Sequence, residues 1–453
     1  MPWLKNLLII LSVKKMFRKN GKISCGKCDR KFGQTNELNI IMVAPRQIGK
    51  TSLLAAMHEE FHKTFERANL QTWTEDTRTL QAITDCKQVL KTIDPKFQKS
   101  VQRTEPELDP WNDEGFVFEL GSGGRKFIKL RFTDPSGEYF ATNSTQRQKD
   151  YVKQRLLKCD AVIIPIDATA LMEKKTGRVN YSEVGTWHEE KNDPERITTL
   201  LKAAYAGLSV PRLVILAPVK CETYMRTSQD AENLLQHVQI GYQKLLNFLK
   251  SDGLFGKVAV VVTPVQTVGN VVFAYHKTRD DGFIKFEYNK TEIKAPYAPK
   301  DGDQPLRYVL RFLLNLYNEE KKRQLEEDQK ELSELEKNLS KEKDERDEAK
   351  QKVAEREKAF IERKQTWLPI RFVANLFDDA YTPYKEAKEN FKSTEKTVHE
   401  TQTKVKNSEI KVQATQKEID IFNKAIFSFA IGCKNSDGFA ILQGAKWLPI
   451  PHN

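Results

Sequence analysis

The residues best suited to chemistry stand together at Ala44-Pro45-Arg46-Gln47-Ile48-Gly49-Lys50-Thr51-Ser52, directly after the apolar run Leu38-Asn39-Ile40-Ile41-Met42-Val43. Their spacing follows the phosphate-binding pattern G-x-x-x-x-G-K-[ST], with Ala44 where the first Gly is expected. In such a loop the backbone N–H groups of Gln47, Ile48, Gly49, Lys50, Thr51 and Ser52 surround an anion at a helix N-terminus. The Lys50 ammonium neutralises the outer phosphates, and the Thr51 hydroxyl is offered to Mg²⁺. Ala44 lacks glycine's easy access to positive φ, so a distorted loop is expected.

A second chemical cluster is Thr133-Asp134-Pro135-Ser136-Gly137-Glu138. An Asp at the end of a strand can hold Mg²⁺ through water, while a Gly three residues on offers its N–H to a terminal phosphate. Standing alone, the same residues would read as an ordinary β-turn. Two weaker patterns compete for attention. Cys25-Gly26-Lys27-Cys28 has half the ligand spacing of a zinc ribbon, but no second C-x-x-C exists to complete four ligands. His58-Glu59-Glu60-Phe61-His62 matches H-E-x-x-H, yet it lies beside the apolar stripe Leu53, Leu54, Met57 and Phe61, which a helix after such a loop needs for packing.

The elements that must position these residues are legible from periodicity. A helix is predicted from about Thr51 to Ala68. A β-hairpin follows, in which Ile128, Leu130 and Phe132 alternate with Lys129 and Arg131 and lead straight into Asp134. Three near-continuous apolar runs then alternate with helical stretches: Cys159 to Ala168, Pro211 to Glu222 and Lys257 to Thr267. Such runs predict a mostly parallel sheet covered on both faces, an α/β fold. Its ligand crevice lies at the carboxyl ends of the strands, where Ala44–Thr51, Asp134–Glu138, Lys220–Glu222 and Thr263–Thr267 all fall. A β-rich excursion (Val271 to Tyr297) and a closing helix (Pro305 to Tyr317) complete the domain.

The order of loop, helix, antiparallel hairpin and D-P-S-G-E resembles a P-loop GTPase of the translation-factor-related (TRAFAC) class. T-D-P-S-G-E and T-P-V-Q-T within it are most similar to bacterial double-GTPase-type domains. The resemblance implies a nucleotide switch using GTP/GDP and Mg²⁺, with ATP as the less favoured nucleotide. It implies Thr51, Thr104 and Asp134 around Mg²⁺, with Thr92 and the threonines between 72 and 84 as rivals to Thr104. Guanine recognition would fall on Val219-Lys220-Cys221-Glu222, where Lys220 stacks its stem, Glu222 stands for the expected Asp, and Val219 cannot make the Asn contact. Thr263 opens the last loop, in which a backbone N–H approaches the base. Glu138 takes the place of a water-orienting Gln and adds negative charge beside the phosphate, which Arg46 would compensate in cis. Lys50, Glu138, Thr104 and Arg46 are therefore the expected catalytic set, and slow hydrolysis follows.

Composition frames this core. Of the 453 residues 39% are hydrophobic and 30% charged, which suits one packed domain plus an extended solvated part. The net charge of +12 makes nucleic acid or an anionic membrane surface alternative contacts. Scattered cysteines suit a reducing cytoplasm, and no run reaches the roughly 20 apolar residues that span a bilayer. Residues 1–36 form a basic segment whose apolar cluster (Trp3, Leu4, Leu7 to Leu11) precedes its charges, unlike a signal peptide. That segment either packs as a helix or lies on anionic lipid, peripheral to a membrane. Residues 37–318 are the P-loop domain.

From about 319 to 430 the composition turns to Lys, Glu, Gln and Ser. Tyr384, Phe391, Val398, Val405, Val412, Ile419 and Ile426 form an unbroken seven-residue series, the seam of a coiled coil. Pro369 and Pro383 predict a fold-back with an apolar tip near 366–384, giving an antiparallel helical hairpin. Residues 431–453 read as a tail, and Trp447-Leu448-Pro449-Ile450 repeats the tetrapeptide at 367–370. The expected partner is a protein engaged through the arm, with a homodimer as the alternative. A bacterial defence or conflict setting comes from the family resemblance alone. Two other readings remain: a nucleotide-binding scaffold without hydrolysis, and a coiled-coil ATPase associated with nucleic acid.

Overall fold

A computed structural model describes residues 23–24, 31–32, 37–67, 71–73, 77–91, 115–122, 125–141, 144–175, 177–178, 182–278, 284–292, 294–366 and 375–449. It divides into two compact units, one of residues 1–316 with 422–453 and one of residues 317–421.

The first unit is built on an eight-stranded sheet. In chain order its strands are β1 (Glu37–Met42), β2 (Gln71–Trp73), β3 (Phe116–Ser122), β4 (Arg125–Thr133), β5 (Ala161–Asp167), β6 (Arg212–Val219) and β7 (Val258–Val262). A separate antiparallel hairpin follows, β8 (Val271–Thr278) with β9 (Ile284–Lys290), and β10 (Ala440–Gln443) completes the sheet. The spatial order is β10-β7-β6-β5-β1-β4-β3-β2. Strands β7, β6, β5, β1 and β4 run parallel, and β3, β2 and β10 pair antiparallel at the edges. The hairpin strand read from alternation is thus β4, and its pairing beside β1 sets Asp134 next to the phosphate loop.

Period-two alternation decides the core. Ile40, Met42, Ile163, Ile215 and Val261 face one side, against Leu53, Leu54 and Met57 of α1 (Lys50–Arg67). Ile41, Val162, Ile164, Leu216 and Val260 face the other. There they meet α3 (Gln146–Lys158), α6 (Pro194–Tyr205), α7 (Ser228–Gly241) and α8 (Gln243–Leu249), for which α2 (Thr77–Lys91), α4 (Ala168–Met172) and α5 (His188–Asn192) complete the numbering. Burying each such side chain contributes roughly 1.5–3 kcal/mol over leaving it in water. Helix α3 starts at Gln146 because Thr145 accepts from the Gln148 N–H while the Gln148 side chain accepts from the Thr145 N–H, a complete capping box.

Three expectations change here. The closing helix does not stop near Tyr317 but belongs to α9, Gln304–Thr366, because no Pro or Gly interrupts the chain between Pro305 and Thr366. Residues 431–449 return to the first unit rather than trailing. β10 pairs with β7, Leu448 is buried in the core, and Arg311 donates to the Leu448 and Pro449 carbonyls. Pro383 lies inside α10, Asn375–Ile431, near enough to its start that little helix is lost. Pro369, most of the expected tip and the basic segment's N-terminal helix lie outside the described residues.

In the second unit α9 and α10 pair antiparallel, as Lys411 and Thr415 meet Asp328 while Phe360 meets Tyr381 and Tyr384. Val398, Val405 and Ile419 are buried as the seven-residue series predicts, with Thr401, Ser408 and Thr415 buried between them. No helix among the described residues is long and apolar enough to cross a membrane.

Candidate nucleotide site

At the carboxyl end of β1 the chain turns through residues 43–49 into α1. The turn is made by Gln47 and Gly49, whose φ values are 62° and 115°. Ala44 takes no left-handed conformation. It is buried, and its carbonyl accepts a hydrogen bond from Lys50 Nζ at 3.2 Å. The expected distortion at Ala44 is therefore absent, because the left-handed positions of this loop lie three and five residues further on.

Lys50 is the hub. Its ammonium also donates to the Pro135 carbonyl at 2.8 Å and lies 3.6 Å from Asp134 Oδ1, with the Phe140 ring 5.5 Å beneath it. Burial pulls the Lys50 pKa down, and the Asp134 carboxylate opposes that pull. The Asp134–Glu138 segment is pressed onto the phosphate loop. A Cβ on Gly137 would come within 2.6 Å of the Arg46 backbone, closer than any side chain can stand, so only glycine permits this approach. Arg46 Nη2 pairs with Glu138 Oε1 at 2.9 Å, so the two charges expected to offset one another do meet. Thr51 and Ser52 lie in the first turn of α1, half-buried. Burial pushes the Cys86 thiol up to about 11, with the nearby Ser52 side chain opposing the rise.

On the other side of the loop, Lys220 adopts φ 55° and donates from Nζ to the Gln47 carbonyl at 3.0 Å and to Asp167 Oδ2 at 2.5 Å. Asp167, at the end of β5, joins the site only through this contact. The signal for it was an acidic residue closing an otherwise apolar strand, Ile163-Ile164-Pro165-Ile166-Asp167.

Two residues expected at the base are spent elsewhere. Glu222 is buried, and its Oε1 accepts the N–H groups of Val268 (2.8 Å) and Gly269 (3.3 Å). Burial raises its pKa and those two donors oppose the rise. The extra methylene of Glu over Asp lets this carboxylate reach across to the following loop. Thr263 is wholly buried, and its N–H donates to the Leu216 carbonyl at 2.9 Å, extending the β6–β7 ladder. Thr104, Thr92, Cys25 and Cys28 lie outside the described residues.

Residues 40–249 match the family described as Double-GTPase 2. This part of the chain is a P-loop GTPase domain of the double-GTPase type. No curated protein matches the chain. The matched stretch runs from β1 to the end of α8. It contains Lys50, Asp134, Gly137, Glu138, Lys220 and Glu222, and it ends before Thr263.

A guanine nucleotide and Mg²⁺ go with such a GTPase domain, and the donor set can be tested against them. Among the described residues no group of three or more His, Cys, Asp or Glu is arranged to hold a metal ion. Magnesium in nucleotide sites is bound through one or two carboxylates and the substrate phosphates, not by an all-protein cage. Asp134, buried beside Lys50, and Thr51, one residue on, fit that requirement. The alternatives fit poorly. His58 Nδ1 lies 3.1 Å from Lys87 Nζ, and Glu59 pairs with the same ammonium at 2.8 Å, so this half of H-E-x-x-H faces a cation. Among the described residues no disulfide joins Cys86, Cys159, Cys221 or Cys433.

Proposed function

We propose that the chain is a Mg²⁺-dependent guanine-nucleotide switch that hydrolyses GTP slowly and couples its nucleotide state to the coiled-coil arm. The observation that carries the reading is the Lys50 ammonium, which ties the phosphate loop to the Asp134–Glu138 segment. A nucleotide phosphate that takes up Lys50 competes with the Pro135 carbonyl, so the position of that segment depends on what is bound.

In this reading Lys50 and the N–H groups from Gln47 to Ser52 hold the phosphates. Asp134 and Thr51 would hold Mg²⁺, with Thr104 as the switch threonine. The metal, when bound, supplies charge neutralisation at the phosphates. Gly137 offers its N–H to the terminal phosphate, and Lys220 stacks its stem on the base. Glu138 orients water at the cost of negative charge, which its pairing with Arg46 offsets, and this arrangement supports slow turnover. The arm's partner is a protein, in a cytoplasmic and bacterial defence or conflict setting suggested by the domain's type.

The test is titration of a fluorescent GTP analogue with Mg²⁺ into the full chain. Saturable binding is expected, weakened at least about a hundredfold by Lys50→Ala, which strips the charge-assisted contacts from the phosphates. Binding that Lys50→Ala leaves unchanged overturns the reading. Arg46→Ala removes the positive charge paired with Glu138 and is expected to lower turnover by roughly ten- to a hundredfold. A second reading, a scaffold that binds without hydrolysing, is favoured by the same Arg46–Glu138 pair, since a carboxylate held by Arg46 is less available to water. Stoichiometric GTP surviving prolonged incubation with Mg²⁺ would select it. Competition by ATP at equal concentration would point instead to a coiled-coil ATPase.

A further inference from the structure

We infer that Asp167 is a positioning residue of the nucleotide site, acting through Lys220 on the phosphate loop; the inference rests on the nucleotide-binding reading above. The Asp167 side chain is almost wholly buried, and its two oxygens have separate tasks. Oδ1 accepts the N–H groups of Thr169 (3.0 Å) and Ala170 (3.1 Å), capping α4, while Oδ2 takes the Lys220 ammonium at 2.5 Å. Its backbone is held from both sides. Asn192 Oδ1 accepts the Asp167 N–H at 2.8 Å, and Asn192 Nδ2 donates to the Asp167 carbonyl at 3.2 Å. The carboxylate is therefore a fixed point.

From that point the ammonium reaches the Gln47 carbonyl at 3.0 Å. A peptide unit is planar and trans, so its N–H points opposite to its C=O. Holding the Gln47 carbonyl toward Lys220 thereby sets the direction of the Ile48 N–H, one of the donors assigned to phosphate. Gln47 needs such a tether, because it holds φ 62° without being glycine, a conformation that costs free energy unless its surroundings impose it. The same lysine stem passes over Gly49, where a Cβ would lie 3.5 Å from Lys220 Cε. One lysine thus holds Gln47 through its ammonium and covers Gly49 with its stem, and one buried carboxylate braces the ammonium. Without Asp167, Lys220 would be a quarter-exposed cation with a single carbonyl to hold it.

The experiment measures Kd for fluorescent GDP and GTP analogues with Mg²⁺ on the full chain. It compares the wild type with Asp167→Asn, Lys220→Met and the double variant. Asn caps a helix as well as Asp, so Asp167→Asn keeps α4 while removing the charge that holds Lys220. Met keeps an unbranched stem over Gly49. Each single variant is expected to weaken both nucleotides by about ten- to a hundredfold, the cost of a misplaced binding loop. The double variant is expected to be no weaker than the weaker single one, because both changes break the same link. That non-additivity, with the melting temperature of the nucleotide-free Asp167→Asn protein unchanged, is what a merely structural role would not produce. Should Asp167→Asn fail to fold, Lys220→Met alone decides, and wild-type affinity in it overturns the inference. Wild-type affinity in Asp167→Asn, or losses that multiply in the double variant, overturn it too. A wild type that binds no nucleotide overturns this inference and the proposed function together. Binding that Lys50→Ala abolishes and Asp167→Asn spares overturns this inference only.

Discussion

In the GTPase unit every strand from β5 to β7 is buried along its whole length on both faces, whereas the arm buries one narrow seam. The seam alternates apolar residues (Val398, Val405, Ile419) with hydroxyls (Thr401, Ser408, Thr415), and Asp328 is buried within it. A two-faced apolar core supplies stability in excess and can hold costly features, such as Gln47 at positive φ or the partly buried Lys50. A seam of this kind supplies little per residue, so its polar members act on which residues face which. Asp328, bonded to Lys411 at 2.8 Å and Thr415 at 3.3 Å, sits opposite the one stretch of α10 that satisfies it. Sliding either helix by a turn would strand its carboxylate away from those partners.

That contrast can be broken from either side. The largest effect is expected in the sheet: Ile163→Ala opens a cavity between fully buried strands and should cost about 2–5 kcal/mol, read from chemical unfolding of the full chain. In the arm, Val405→Ala removes less packing and should cost about 1–2 kcal/mol, because each seam residue is covered from one side only. Circular dichroism against near-ultraviolet signals would assign each loss to its unit; equal losses would show that the two units do not differ in this way. Asp328→Leu tests the polar layer. Replacing a buried ionic group by an apolar one of similar size is expected to be neutral or stabilising, while the pairing of α9 with α10 becomes less unique. Cysteine pairs placed for the observed alignment and for one a turn away would report it, and crosslinking confined to the observed alignment would refute the register role.

The smallest effect concerns Glu222. Burial raises its folded-state pKa above the ordinary value, so the folded protein holds this proton more tightly than the unfolded chain does. The sign follows: the ionised carboxylate costs stability above its raised pKa, and that cost is relieved as the pH falls through it toward 4.5. Glu222→Gln, which still accepts from Val268 and Gly269, should therefore flatten the pH dependence of unfolding in that window. A variant whose stability keeps the wild-type slope there would show that Glu222 is not the group responsible.

How far the sequence could be read depended on the range of the interaction. The apolar strands, the β4 strand ending just before Asp134 and the seven-residue series of α10 are local patterns, and each appears where its periodicity places it. Side-chain direction is not local. Glu222 and Thr263 lie in loops after β6 and β7, yet the Glu222 carboxylate turns to Val268 and Gly269 and the Thr263 N–H donates to Leu216. Asp167 looked like the last residue of a strand, and only the approach of Lys220, 53 positions later, made it part of a site. The segment after 431 read as a tail because its short strand finds its partner at β7, far back in the chain.

Residue types at fixed short spacings are enough to specify the phosphate loop, the sheet that carries it and the seam of the arm. Tertiary structure alone decided how the loop is held: Gly137 against Arg46, Arg46 against Glu138, and Asp167 through Lys220 to Gln47. Those links join residues from four strand ends, and charges and carbonyls choose among partners only once the sheet has brought them within hydrogen-bonding distance.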